Sequence, residues 1–155
     1  MNWEAIGAVG EILGALAVVS SLVYLASQIR VQNREARVAS VHDAAEAYRT
    51  TIASLQEPEM ADLYIEAIVH FDDLAPTQRI RYVVFMLRIF KVWEEAYFQW
   101  QENRLDTEAW ESMLAPLADV MATDGAQKVW GLRKHQFRKD FANYLDHIEV
   151  GEYRF

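Results

Sequence analysis

Glu11 is the side chain whose position most demands a chemical reason. It is the one charge in Ala5 to Ile29, a stretch of 25 residues that is otherwise apolar, small or neutral. An ionisable group in hydrocarbon is costly and marks a functional candidate, here a pore-lining or proton-handling carboxylate. The plainer alternative is that Glu11 lies about two turns from one end of the stretch. From there it can snorkel, protonate or hydrogen-bond across a helix interface. At 100° per residue, Gly7, Gly10, Gly14, Ala17, Ser21 and Gln28 fall within a sector of roughly 80°, which Glu11 flanks. Ile12, Leu13, Leu16, Val19, Leu22 and Val23 occupy the opposite side. Small residues let helix backbones approach closely in lipid, and Gly10 with Gly14 forms a GxxxG pair. A helix–helix interface along this stripe is therefore expected.

Other residue types with chemical potential are scattered. His42 with Glu46 and Glu66 with His70 stand at i,i+4 spacing. Were their helices antiparallel neighbours, the two pairs would offer a mixed imidazole and carboxylate set beside Asp43 and Asp62. Such pairs are ordinarily surface neighbours on a helix, and no metal site and no cofactor are expected. Glu94-Glu95 sits among Trp93, Tyr97, Phe98 and Trp100; one carboxylate is expected at the rim of the core and the other in solvent. Trp93, Tyr97 and Trp100 have the spacing of a core stripe. Arg133 to Lys139 is the only basic cluster, suited to anionic lipid headgroups, with Asp140 and Asp146 placed to neutralise part of it. Cysteine is absent, which excludes disulfides, thiol nucleophiles and cysteine-based metal sites. HExxH, GxSxG, GxGxxG and GxxxxGK[ST] are also absent, so no catalytic residue is nominated. The formal net charge of -8 disfavours nucleic acid as a partner.

The elements that must position these residues follow from the placement of the hydrophobic 52% of the chain. At about 1.5 Å per residue, Ala5 to Ile29 spans roughly 37 Å as a helix, enough for a bilayer core of about 30 Å. No Lys or Arg precedes Arg30, so the basic start of a secretory signal is missing and a retained anchor is expected. Arg30, Arg34 and Arg37 follow the stretch. They set the expected topology, with the N-terminus outside and residues 31–155 cytoplasmic. Trp3 and Tyr24 suit the two interfacial belts. With residues 1–30 as a membrane helix, 31–155 form the expected helical domain of about 125 residues.

No Gly or Pro occurs between Ala15 and Glu57, so the first helix is expected to run on to about Gln56. Val38, Val41, Ala45, Tyr48, Ile52 and Leu55 make its second stripe, expected to pack on the helices that follow. A second helix is expected over Glu59 to His70, burying Met60, Leu63, Tyr64 and Ile68. A third covers Thr77 to Asn103, with Pro76 suited to its first position. Its expected core is Ile80, Val83, Val84, Leu87, Phe90, Trp93, Tyr97 and Trp100. Asp106 caps a fourth helix carrying Trp110 and Leu114, which Pro116 kinks or restarts. Asp124-Gly125 begins a helix with Trp130, and a last one covers Phe137 to His147. Residues 151–155 have no expected structure. No stretch alternates with period two, and the expected fold is all-α, the long first helix packed with four to five others.

The opening Trp3-Glu4-Ala5-Ile6-Gly7, with Gly10-Glu11-Ile12, Tyr24-Leu25-Ala26 and Gln28-Ile29-Arg30, resembles the start of a family of uncharacterised bacterial membrane proteins. Arg88-Ile89-Phe90, Trp93-Glu94, Tyr97-Phe98-Gln99, Leu105-Asp106, Trp110-Glu111, Trp130 and Phe141-Ala142-Asn143-Tyr144 are similar to the domain that follows in that family. The resemblance implies one N-terminal membrane helix and a small cytoplasmic helical domain, and it transfers no activity. The expected protein is thus a non-enzymatic component of the bacterial inner membrane. Its expected partners are lipids and either further copies of itself or a larger membrane complex. The alternatives are an oligomeric channel with Glu11 near its outer mouth and an accessory subunit of a larger assembly.

Overall fold

The computed structural model describes residues 2–151 and 153, and for residues 4–6 the backbone alone. Every regular element among them is helical. The six α-helices are α1 (Trp3–Ile52), α2 (Pro58–His70), α3 (Pro76–Gln101), α4 (Thr107–Met121), α5 (Asp124–Arg133) and α6 (Lys139–Asp146). Short 3-10 turns follow α1, α2 and α5. The chain divides into two units, residues 1–38 and residues 39–155. Of the tail, Gly151 and Tyr153 are non-helical, and Glu152, Arg154 and Phe155 lie outside the described residues.

The breaks between helices have identifiable causes. Pro58 and Pro76 open α2 and α3 at first-turn positions, where a missing N–H costs nothing. The Gln78 side chain accepts from the Ala75 N–H (3.0 Å), closing the start of α3. At the other end Asn103 takes a left-handed conformation (φ 56°). The Arg104 N–H then reaches Gln99 O (2.8 Å) and the Asn103 N–H reaches Trp100 O (3.0 Å). That bond pair is a Schellman ending with asparagine in glycine's usual place. It turns the chain so that Leu105 is buried. Asp106 caps α4 as its sequence position predicts, its Oδ1 accepting from the Ala109 N–H (2.7 Å). Thr123 does the same for α5 from Oγ1 (3.3 Å).

Of the two effects expected of Pro116, a kink or a restart, the restart does not occur: α4 runs through it and ends at Met121. A proline within a helix removes one bond, that of the carbonyl four residues back. Here only the Ser112 carbonyl loses its partner.

The core lies within residues 39–155. α3 packs against α2, α4, α5 and α6, and α2 packs on α5. From α1 the core takes Ala44 and Thr51, with Tyr48 and, from the following 3-10 turn, Leu55 packed at its margin. The expected stripe is thus used only in its later half, since Val38 and Val41 are exposed. Phe90, Trp130, Phe137 and Phe141 form one aromatic group, and Tyr97, Trp100, Trp110 and Tyr144 another, joined by Tyr97 against Phe141. Each of the four indole N–H groups in this unit has a partner. Trp93 donates to Met113 O, Trp100 to Thr107 Oγ1, Trp110 to Tyr144 OH and Trp130 to Asp146 Oδ1. Buried indoles are stable on this condition.

Of the core expected in α3, Val83, Phe90, Trp93 and Tyr97 are buried and Leu87 and Trp100 pack at its margin. The departure is in the first turns, where Tyr82, Phe85 and Met86 are inside and Ile80 and Val84 are 66% and 52% exposed. Apolar residues occupy nearly every position from Ile80 to Phe90, so their periodicity does not select a face. The cations do. Arg81, Arg88 and Lys91 are exposed on one side, and Ile80 and Val84 share it. Ile80→Lys and Val84→Lys are each expected to change stability by no more than about 0.5 kcal/mol. Met86→Ala, at a wholly buried site, is expected to cost about 2–5 kcal/mol. Thermal unfolding of the full chain in detergent, followed by tryptophan fluorescence, checks this. Equal losses at the three sites would refute the assigned face.

Candidate functional site

The first unit presents its predicted site as a single uncovered helix. In α1 the most apolar stretch reaches a mean hydropathy of 1.9 over 18 residues, and none of that window is buried. By length and composition this helix is able to cross a membrane. Ile12, Leu13, Leu16, Val19, Leu22 and Val23 are all more than half exposed. Gly7, Gly10, Gly14, Ala17, Ser21 and Gln28 are exposed as well, and so is Glu11. A Cβ added at Gly7, Gly10 or Gly14 would meet nothing within 4 Å. The small stripe is therefore open along its length. Ser21 Oγ donates to Ala17 O (2.9 Å) and Ser27 Oγ to Tyr24 O (2.7 Å). Both hydroxyls are satisfied within the helix. Arg30, Arg34 and Arg37 follow on the same helix, all exposed.

The weaker metal candidates stay apart. His42 is exposed on α1. Glu46 faces Arg49 at 3.6 Å, Glu66 Oε2 accepts from Gln78 Nε2 (3.3 Å), and His70 lies 3.9 Å from Asp73. Among the described residues no three His, Cys, Asp or Glu side chains gather as a metal site would need.

Glu94 and Glu95 divide as expected. Glu94, its side chain 13% exposed, accepts from Lys91 Nζ (2.6 Å) and from the Arg138 N–H (2.7 Å). It thereby ties α3 to the start of α6. Glu95 is exposed and accepts from Gln99. Two of the four Arg and Lys side chains in the basic cluster are paired with neighbouring carboxylates. Lys134 pairs with Asp146 (2.9 Å) and Arg138 with Asp140 (2.8 Å). Lys134 and the Trp130 N–H hold the Asp146 carboxyl below its ordinary range, and Arg138 does the same for Asp140. These cations serve α5 and α6 before any outside partner.

Sequence reasoning missed one close approach. At Gly125 an added Cβ would lie 2.2 Å from Ala67 O and 2.9 Å from the Tyr82 hydroxyl. A glycine in the first turn of a helix is the available signal, but its partner on α2 is not visible in sequence. Burial pushes the ionisation of Tyr82 and Tyr64 well above the ordinary phenol value. Among the described residues the Tyr82 hydroxyl has no partner at hydrogen-bond geometry. Thr123 stands beside it, its hydroxyl donating to Val120 O and accepting from the Ala126 N–H.

No known family, curated protein or solved structure matches the chain.

Proposed function

We propose that this chain is a single-span protein of the bacterial inner membrane that self-associates through the first part of α1. The observation that carries this reading is the uncovered apolar stretch. A core helix of a soluble domain buries one face, and this one buries none of its most apolar window. Lipid is the cover that suits it. Arg30, Arg34 and Arg37 at one end favour a cytoplasmic position for residues 39–155. The stripe from Gly7 through Gln28 is the contact between copies, because close backbone approach is what small residues permit in lipid. Glu11 at its flank then faces the neighbouring helix, not acyl chains. The helical domain braces the assembly or receives a partner, and the proposed role is not enzymatic.

Native mass spectrometry on protein released from membranes tests the assembly. A homo-oligomer is expected, and Gly10→Leu with Gly14→Leu is expected to reduce its size or dissociate it. An unchanged assembly in the double variant would overturn the stripe as the contact. Co-migration with foreign chains would favour an accessory subunit instead. A conducting pore would show as conductance in planar bilayers that Glu11→Gln alters.

A further inference from the structure

We propose that the cleft between residues 45–49 of α1, α3 and α4 binds a small aromatic carboxylate. The cleft has a volume of about 260 Å3. Its floor is aromatic: the Tyr48 and Trp93 rings lie 5.6 Å apart at 50°. The Trp93 indole is pinned by its bond to Met113 O (3.1 Å), so this floor is preformed. Ala45, Met113 and Pro116 make apolar walls. An enclosed apolar cavity of about 150 Å3 already accepts benzene, so one ring fits and a short arm has room. A helix from a second protein needs anchors at i, i+3, i+4 and i+7 along an extended groove, which this cleft is too small to supply.

The rim supplies the charge. Arg49 Nε donates to Ala45 O (3.3 Å), which folds the guanidinium back over a residue of the wall. Among the described residues its ionic partner is Glu46 at 3.6 Å, with both side chains more than half exposed. An exposed pair of this kind contributes little and yields readily to a better-placed acceptor. A carboxylate at the end of the ligand's arm offers Arg49 two parallel hydrogen bonds. A single guanidinium matches one carboxylate better than a doubly charged phosphate. Ser112 also lines the cleft, and Pro116 has no N–H to give its carbonyl. A hydroxyl or amine on the ligand would meet an acceptor there.

The test uses the full chain in nanodiscs and 3-(4-fluorophenyl)propionate as probe, followed by fluorine NMR, with empty nanodiscs as the blank. Saturable broadening at low-millimolar concentration or below is expected for the wild type. Arg49→Gln is expected to weaken binding about tenfold or more, and the primary amide of the probe to bind the wild type equally weakly. Ala45→Leu fills the cleft and is expected to abolish binding; Ala45→Val serves if the larger side chain prevents folding. No saturable signal above the blank would overturn the proposal. So would affinity unchanged in both Arg49→Gln and the Ala45 variant.

Discussion

Gly125→Ala is expected to destabilise residues 39–155 by about 1–3 kcal/mol, although alanine is the better helix former by up to about 1 kcal/mol. The added methyl carbon would sit 2.2 Å from Ala67 O and 2.9 Å from the Tyr82 hydroxyl. The first contact decides the outcome. It is with backbone on α2, so no rotamer change relieves it, and α2 and α5 must separate. These helices form one of the main contacts of the unit, with Ala67 and Ala126 wholly buried at it. Separation opens space across that interface and loosens its packing. A fall of roughly 10 °C in the melting midpoint is expected for the full chain in detergent. Gly131→Ala supplies the control on the same helix. Its Cβ would meet nothing within 4 Å, so it is expected to be neutral or to stabilise by up to about 1 kcal/mol. Tyr82→Phe removes the second contact and a buried hydroxyl without a partner among the described residues, and alone should cost little. Added to Gly125→Ala it should recover only a small part of the loss, since Ala67 O remains. Equal melting of Gly125→Ala and Gly131→Ala would refute the close approach.

Helix boundaries in this chain were legible because their causes are local. Pro58, Pro76 and Asp106 act within four residues of themselves, and each works as its position predicts. Pro116 does not restart its helix, because a proline's cost depends on what else the helix holds. α4 keeps Trp110 and Leu117 buried on either side of it, and losing one bond does not outweigh that. In α3, Val83, Phe90, Trp93 and Tyr97 are buried as expected, and Ile80 and Val84 depart for a different reason. Where almost every position is apolar, the tertiary arrangement chooses among faces, and only the cations record the choice. The Gly125 approach and the Tyr48–Trp93 cleft were invisible to local reasoning. Each joins residues more than 40 positions apart. In α1 the expected second stripe begins to count only at Ala44, because packing starts there.

Two lysines in the apolar stretch of α1, Leu16→Lys with Val19→Lys, are expected to abolish membrane association. Both side chains are more than half exposed (58% and 56%), and nothing among the described residues covers them. In water that surface is unfavourable; in lipid it is the reason for insertion. Lysine near the centre of a span costs about 2.5–3.5 kcal/mol, where leucine or valine gains about 0.3–0.6 kcal/mol. The pair therefore opposes insertion by about 6–8 kcal/mol, a factor of at least about ten thousand. Neither position lies near enough to an end for both ammonium groups to reach the interface together. The measurement is flotation of membranes in a density gradient after an alkaline wash, which separates inserted protein from aggregate. Wild type is expected to float with the lipid, and the double lysine variant to remain in the dense fractions. Leu16→Ala with Val19→Ala should still float, because the remaining stretch is apolar enough. Ile80→Lys with Val84→Lys adds the same charge to the exposed face of α3 and should float too. That comparison separates a charge in the span from a charge on the protein. Flotation of the Leu16, Val19 lysine variant at the wild-type level would exclude this stretch as the membrane anchor, and the proposed self-association in lipid would fall with it.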